Sequence, residues 1–242
     1  MALDLNCDLG EGEPISQTRA LMRWISSANI ACGGHAGDSK SMRVCVRLAR
    51  QFKVNVGAHP GPWSRADMGR GAFEISPTGL ELLLLHQVSA LEKISADEGA
   101  PLHHVKLHGA LYHAVEQDVR LARRYAMVVK RHWPGLVVFG LARGGHVLGE
   151  MKRVGLEGWP EAFADRAYEN TGKLVPRTQP GSVLSEVTEI LDRLKSLTEG
   201  RGIPTADGSR LTLAARTVCL HSDSPNVLAV LRRAGRQLLR NA

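Results

Sequence analysis

The sequence contains none of the short motifs that identify the commonest nucleotide-dependent and hydrolytic enzymes. It has no GxxxxGK[ST] phosphate loop, no GxSxG nucleophile elbow and no GxGxxG turn after a strand. The glycines of FGLARGGH are too loosely spaced to form a dinucleotide turn. These absences argue against a P-loop NTPase, a serine α/β-hydrolase and a Rossmann dehydrogenase.

Paired cysteines and long apolar runs are also missing. Cys7, Cys32, Cys45 and Cys219 form neither a CxxC pair nor a secreted disulfide spacing, so we expect them to be reduced and mostly buried. Cys32, near His35, is alternatively a nucleophile, although a buried strand residue is the favoured interpretation. No 18 apolar residues run together, and MALDLNCDLGEGE lacks the basic and apolar regions of a signal peptide. We expect a cytoplasmic protein without membrane contact.

Aromatic residues are scarce, at 5% of the chain, and no basic run is interleaved with them. The formal net charge is +7, but the arginines are scattered along predicted helices instead of forming a stacking surface for bases. We therefore expect no nucleic-acid partner. The basic balance fits a solvated surface, or attraction of acidic substrates such as nucleotides.

The order of apolar segments predicts an α/β protein. Short apolar runs alternate with helical patterns, as expected for βα units and a parallel sheet that is buried on both faces. At 242 residues, 43% of them hydrophobic, and with no linker or repeat, the chain is predicted to form a single domain over residues 1–242. Seven strands are predicted, near residues 2–7, 27–32, 55–58, 103–107, 136–141, 161–164 and 217–221.

Helix starts are marked by capping residues and by proline. Asp38 or Ser39 begins one predicted helix, and Ser76 with Pro77 begins the longest, which runs to about Glu98. Further helices are predicted after Asp118, over residues 183–197, and after residues 224–225. The Gly-, Pro- and Arg-rich loop 60–74 is a candidate lid or substrate-contacting loop, and TADGSRLTL predicts a small β-hairpin.

Charged and imidazole side chains gather at the carboxyl ends of the predicted strands. In parallel barrels these ends meet at one mouth, where catalytic groups from several strands converge. We therefore predict the active site there. The residues are Asp4, Asn6, Asp8, Glu11, His35, Asp38, His59, Lys106, His108, Asp165, Arg166, His221 and Asp223.

Two segments place polar residues at alternate strand positions, and so on one face of the strand. In DLNCDLGE these are Asp4, Asn6 and Asp8, whose burial costs free energy that structure alone seldom explains. In HVKLHGALY they are Lys106 and His108. A buried lysine needs an anion, which a phosphate, a substrate carboxylate, or Asp4 and Asp8 could supply.

His35 and His59 follow the second and third strands. Proton transfer, polarisation of a carbonyl group, and ligation of a metal together with Asp8 are all open roles. Their spacing matches no short metal motif such as HExxH, so the use of a divalent metal stays open.

Arginines supply further candidates. Arg177, in LVPRTQPG, is a candidate clamp for a carboxylate, and Arg65 and Arg70 of loop 60–74 compete for that role. Asp165 and Arg166, in FADRAY, either act in the site or simply pair with neighbours.

Seven segments in order give the sequence a resemblance to the LamB/YcsF family, the family of the A subunit of 5-oxoprolinase. They are DLNCDLGEGE, SSANIACGGHAGD, VGAHPG, HVKLHGALY, FADRAY, LVPRTQPG and VCLHSDSP, and they span almost the whole chain. The chain departs from the family pattern at Gly34, Leu107 and Ser222, where the family has CGFHAGD, VKPHGALY and HGD. The resemblance implies a distorted TIM-like, seven-stranded β/α barrel similar to that of polysaccharide deacetylases. It also implies ATP-dependent opening of 5-oxo-L-proline to L-glutamate with partner subunits B and C.

Within that scheme, Asp8, with or without Asp4, is expected to act as general base, and His35 or His59 as the acid toward the ring nitrogen. Lys106 and Arg166 are expected to neutralise developing negative charge, and His108 and Asp223 to hold the arrangement in place. Asp165 completes the catalytic set. The expected substrate-binding residues are Asp4, Asn6, Glu11, Asn29, Tyr112 and Arg177.

Two alternatives remain open at this point. One is a stand-alone metal-dependent amide hydrolase or deacetylase with Asp8, His35 and His59 around the ion. The other is a non-catalytic subunit that delivers a lactam to its partners. The sequence decides neither where ATP binds nor whether the chain forms a homo-oligomer.

Overall fold

The computed structural model describes residues 3–238, and its centre is a closed barrel of seven parallel strands. Each strand pairs with the next along the chain, and the seventh closes the barrel by pairing with both the sixth and the first. The strands are β1 (Asp4–Leu9), β2 (Ser27–Ala31), β3 (Asn55–His59), β4 (Leu102–Val105), β5 (Val137–Leu141), β6 (Gly158–Phe163) and β9 (Thr217–Cys219).

Helices surround the barrel, and a two-stranded antiparallel hairpin, β7 (Ile203–Pro204) with β8 (Arg210–Leu211), lies between its last two strands in the sequence. The helices are α1 (Ile15–Met22), α2 (Ser39–Phe52), α3 (Pro77–Asp97), α4 (Gly109–Gln117), α5 (Val119–His132), α6 (Val147–Val154), α7 (Val187–Thr198) and α8 (Val227–Leu238).

The predicted seven-stranded parallel barrel is confirmed, with shifts at the strand ends. The first strand was predicted over residues 2–7 but runs Asp4–Leu9, and Ala2 lies outside the described residues. The fourth ends at Val105, although the backbone N–H groups of Lys106 and His108 still donate to carbonyls at the end of β3 and just beyond it. Those two residues therefore continue the line of β4 to the carboxyl end of the barrel, where both side chains are buried.

Local capping explains where the predicted helices begin. Asp38 accepts from the Ser41 N–H at 2.7 Å and forms a capping box before α2, and Ser76 precedes the proline that opens α3. The helix predicted from residue 183 begins instead at Val187, because Val183 pairs with Arg166 in an isolated bridge. Helices α1, α4 and α6 were not predicted.

The two faces of the barrel strands differ in chemistry. Along β1, Leu5, Cys7 and Leu9 join the apolar core between sheet and helices, whereas the alternate residues point into the barrel. All four cysteines are free and buried, as predicted. Among residues 3–238, no helix is both long and apolar enough to cross a membrane.

Gly57 on β3 makes room for a histidine inside the barrel. A Cβ atom added at Gly57 would lie 2.0 Å from Nε2 of His104, which is fully buried and contacts Oδ1 of Asn29 at 2.8 Å. We expect Gly57→Ala to lower the free energy of unfolding by about 1–3 kcal/mol or more. Urea denaturation measures this change. Gly149→Ala, on α6 with open space around the added methyl, is the control and should be neutral or stabilising. Equal stability of the two variants would contradict this packing.

Candidate active site

A cavity of about 340 Å³ opens at the carboxyl ends of the strands. Its volume is at the small end of the range for small-molecule sites. Its lining includes Asp8, His59, Arg70, Lys106, His108, Tyr112, His113, Arg166, Arg177 and His221.

Below the cavity, the barrel interior is filled by a network of buried polar side chains. The amide of Asn29 donates to Oδ1 of Asn6 at 2.7 Å and to Oδ1 of Asp8 at 2.8 Å. Asn6 donates in turn to Glu161 at 3.0 Å and to Thr217 at 2.7 Å. This network fixes the side chain of Asp8 from beneath.

Lys106 is the buried cation of that network. Its Nζ lies 2.9 Å from Oδ1 of Asp8, 3.1 Å from Oε1 of Glu161 and 3.0 Å from Sγ of Cys219. Burial opposes the ammonium form, but Asp8 and its neighbours raise the pKa of Lys106 well above its usual value. Burial likewise opposes the Asp8 carboxylate, yet His59 and Lys106 hold the pKa of Asp8 well below its ordinary range. The sequence left open whether Lys106 pairs with a phosphate, a substrate carboxylate or an acidic side chain of the protein. In the structure it pairs with Asp8.

Three histidines surround the carboxylate of Glu11. Oε1 of Glu11 lies 2.9 Å from Nε2 of His35, 3.1 Å from Nδ1 of His108 and 3.6 Å from Nε2 of His59. The His35 and His108 rings stack in parallel with centroids 3.5 Å apart, while the His59 ring is nearly perpendicular to both. Burial lowers the pKa of His35 to about 4 despite its contact with Glu11.

His221, at the end of β9, is oriented by Asp165. Nδ1 of His221 lies 3.1 Å from both oxygens of the fully buried Asp165 carboxylate, which also accepts from the His221 backbone N–H at 2.9 Å and from Ser224. Although burial opposes ionisation, His221 and Ser224 lower the pKa of Asp165 to about 2. The carboxylate therefore keeps the proton on Nδ1, and Nε2 faces Oδ2 of Asp8 at 3.8 Å.

One wall of the cavity carries an excess of positive charge. Burial, and then the neighbouring Arg177, lower the pKa of Arg166 to about 10. The Nε and Nη2 atoms of Arg166 donate to the carbonyls of Ser182 and Val175. At the rim, Asp223 lies 2.8 Å from Arg70 and 3.7 Å from Arg177. We call Arg70, Arg166 and Arg177 the arginine wall. Their three positive charges exceed the single negative charge of Asp223 beside them.

The predicted site residues fall into distinct places. The cavity is lined by Asp8, His59, Lys106, His108, Arg166, Tyr112 and Arg177, and is backed by Glu11, His35 and Asp165. Asn6 and Asn29 lie beneath it, whereas Asp4 lies at the amino end of β1, away from the cavity, and bonds to Ser27 and Thr217. Asp223 is on the rim. Arg65 points elsewhere, because it donates to the carbonyls of Gly33 and Gly37.

Two residues of the site, His221 and Glu161, had no role assigned from the sequence. His221 was noted only as a strand-end residue, and Glu161 only as the start of a strand. Thr217, Cys219 and His221 occupy alternate positions along β9 and just beyond it, as Asp4, Asn6 and Asp8 do along β1. This alternation could have identified His221 as a residue of the site. Burial raises the pKa of Cys32 to about 12 and its thiol faces the Ile30 carbonyl, so Cys32 is a structural residue.

The glycine that departs from the family pattern, Gly34, is packed against a buried glutamine. A Cβ atom added there would lie 2.5 Å from both Nε2 of Gln87 and the carbonyl oxygen of Gly61. The Gln87 side chain bonds both backbone groups of Gly61, at 2.7 and 3.0 Å. Gln87 thus fills the space next to residue 34, so Phe would not fit without a change at residue 87.

Known proteins resemble this chain over its full length. It is 38% identical to the A subunit of 5-oxoprolinase from Bordetella parapertussis across 99% of this chain and 96% of that protein. The crystal structure of the lactam utilization protein from Thermus thermophilus superimposes with a TM-score of 0.88 at 38% identity, covering 98% and 97% of the two chains.

A more distant structure shares the fold alone. The family 4 carbohydrate esterase of Streptomyces lividans has a TM-score of 0.51 at 12% identity, over 99% of this chain and 88% of its own. The predicted likeness to that group of barrels is confirmed. The model of the LamB/YcsF family matches residues 3–242, and with these relatives it shows that the chain belongs to the LamB/YcsF family.

Proposed function

We propose that this chain is the A subunit of an ATP-dependent 5-oxoprolinase, which opens 5-oxo-L-proline to L-glutamate together with subunits B and C. The name of the Bordetella relative supports the activity and, because it denotes one subunit, the existence of partners. ATP dependence and the identity of the partners come from the family resemblance and are part of this proposal.

The observation that carries the proposal is the joining of two features in one small cavity. The cavity is lined both by a histidine oriented by a buried carboxylate and by a group of arginines. A five-membered lactam with a carboxylate presents the matching features, namely an amide bond to be attacked and an anion to be held.

The resonance-stabilised ring amide must be activated before water attacks it. Transfer of a phosphoryl group from ATP to the amide oxygen makes the carbonyl carbon a better electrophile. In our scheme Nε2 of His221 takes a proton from the attacking water and returns it to the ring nitrogen as the C–N bond breaks. The resulting acyl phosphate then hydrolyses to glutamate and phosphate.

The geometry favours His221 over Asp8 and His35 for proton transfer. Asp8 is held ionised by Lys106 and His59 with a pKa well below its usual range, so it is a weak base. His35 is stacked behind His108 and bonded to Glu11. In our proposal the Asp8 carboxylate therefore stabilises the imidazolium of His221 as it forms.

Anion binding falls to the arginine wall. Arg166 keeps Nη1 for a ligand while its other nitrogens are held by carbonyls, and Arg70 and Arg177 reach the rim. Arginine binds carboxylates and phosphates through paired hydrogen bonds, so this wall suits either the ring carboxylate or a phosphoryl group.

The activity itself is tested by measuring glutamate released from 5-oxoproline, with and without ATP, by this chain alone and with its B and C partners. The proposal expects release only with ATP and partners. ATP-independent release by the isolated chain would replace it with the amide-hydrolase alternative. Full release by the complex after substitution of Asp8 as well as His221 would favour the lactam-delivery alternative.

Arg177 provides a test of substrate binding. We expect Arg177→Gln to raise KM for 5-oxoproline by about 10- to 100-fold, since a hydrogen bond to a charged group contributes roughly 1.5–3 kcal/mol. The value of kcat should change less. Arg201→Gln, which alters an exposed arginine beside Glu199, is the control. Steady-state kinetics of the reconstituted complex measure both, and an unchanged KM would remove Arg177 from the carboxylate site.

A further inference from the structure

The cluster behind the cavity contains an excess of hydrogen-bond acceptors. Nδ1 of His59 lies 2.8 Å from the carbonyl oxygen of Lys106, and Nε2 of His108 lies 2.8 Å from that of Met68. A carbonyl only accepts, so each ring carries its proton on that outer nitrogen. When the rings are neutral, the inner nitrogens, Nε2 of His59 and Nδ1 of His108, therefore present lone pairs.

These lone pairs face each other and two carboxylates. The two inner nitrogens are 2.9 Å apart. Oε1 of Glu11 lies 3.1 Å from the His108 nitrogen and 3.6 Å from the His59 nitrogen, and Oδ2 of Asp8 lies 3.4 Å from the latter. Nε2 of His59, Nδ1 of His108 and Oε1 of Glu11 repel one another unless a positive charge lies between them, which a ring proton or a bound cation can supply.

The separations match those around a tetrahedral metal ion. Ligand atoms at about 2.0–2.1 Å from Zn²⁺ in a tetrahedron lie about 3.3–3.4 Å from one another. The three separations among Oε1 of Glu11, Nε2 of His59 and Nδ1 of His108 are 2.9, 3.1 and 3.6 Å. The backbone carbonyls that hold the outer nitrogens are the partners that metal-binding histidines ordinarily have.

His35 supports this cluster without belonging to the ligand set. Its ring is parallel to that of His108, within 4°, with centroids 3.5 Å apart. A ligand lone pair lies in the plane of its ring, so two parallel rings at this spacing cannot both aim at one ion. His35 instead lies 2.9 Å from the Glu11 carboxylate and positions it.

A second group of potential ligands already has a cation. Asp8, Cys219 and His221 also bring ligand atoms close together. However, the ammonium of Lys106 lies 2.9 Å from Oδ1 of Asp8 and 3.0 Å from Sγ of Cys219. That charge leaves no need for a metal there.

We propose that Glu11, His59 and His108 bind one divalent transition-metal ion of the Zn²⁺ class, with the fourth position open to water or substrate. The site differs from the set suggested by the sequence, because Glu11 and His108 take the place of Asp8 and His35. It stands independently of the ring-opening activity, since the metal is measured on the isolated chain.

The test is calorimetric titration of Zn²⁺ into the full-length chain after treatment with a chelator, together with the visible spectrum of the Co²⁺ form. We expect one ion per chain, a rise in Tm on Zn²⁺ addition, and the intense bands of four-coordinate Co²⁺. Glu11→Gln and His108→Gln should each weaken Zn²⁺ binding by more than about 100-fold, since even outer partners of metal ligands contribute about 10–100-fold.

Two controls separate this site from its surroundings. His113→Asn removes an imidazole that lines the same cavity outside the cluster, and Cys219→Ser changes the second group. Both should retain tight binding and the Co²⁺ spectrum. The Tm of each metal-free variant shows that it folds. Absence of Zn²⁺ binding by the folded wild-type chain, or its loss in Cys219→Ser with retention in His108→Gln, would overturn the proposal.

Discussion

Replacing His221 by asparagine is expected to lower kcat of the reconstituted ring-opening complex by about 10²- to 10⁴-fold, the usual contribution of a positioned acid–base group. The variant loses the nitrogen that faces the cavity while keeping a polar side chain near Asp165. The value of KM should change little, because the arginine wall is intact. Steady-state kinetics with saturating ATP measure both constants.

A merely structural role for His221 makes a different prediction. Acid–base function requires loss of the corresponding limb of the pH–kcat profile, and a similar fall for Asp165→Asn, whose amide no longer favours the proton on Nδ1. His132→Asn, an exposed histidine at the end of α5, controls for the substitution itself. Unchanged kcat in a folded His221→Asn complex would return proton transfer to Asp8 or His59.

Replacing Lys106 by methionine is expected to give the largest loss of stability. Asp8 and Glu161 would then remain buried beside one another without a cation, and removal of one partner from a buried ion pair costs about 3–5 kcal/mol. The similar length of methionine limits any cavity. Urea denaturation of the isolated chain at neutral pH measures the free energy of unfolding.

The comparison variant is Lys93→Met, which breaks an exposed i,i+4 pair with Asp97 on α3. An exposed pair contributes about 0–1 kcal/mol, so this variant should stay near wild type. Adding Glu161→Gln to Lys106→Met should restore part of the loss, since one of the two uncompensated carboxylates becomes neutral. Equal stability of the two lysine variants would mean that Asp8 and Glu161 do not depend on the ammonium.

The seven strands were predictable because their signals are local, and the family resemblance implied that they close into a barrel. Apolar runs of strand length, separated by capped helices, led to seven parallel strands, and the errors were shifts of a few residues at strand ends. Helices α1, α4 and α6 were missed because they are short, with 8 or 9 residues each, and so carry little periodicity. The start of α7 was misplaced because the bridge between Arg166 and Val183 is a long-range contact.

The site was predictable only as a set of residues at one mouth. Alternation placed Asp8 and Lys106 on inward faces, but distance in the sequence gave no pairing between them. Asp4 and Asp8 looked equivalent along β1, yet Asp4 lies at the amino end of the barrel between Ser27 and Thr217, whereas Asp8 lines the cavity at the carboxyl end. The difference follows from the bounds of β1, Asp4–Leu9, which begin two residues later than predicted.

The sequence by itself determined the barrel, the inward polar faces of its strands and the family to which the chain belongs, because periodicity, capping and motif order are properties of neighbouring residues. Only the tertiary structure decided which charges meet. The pairing of Lys106 with Asp8, the orientation of His221 by Asp165, and the facing lone pairs of His59 and His108 depend on strands far apart in the sequence. Their energies change with distances of an ångström, and closure of the barrel alone fixes those distances.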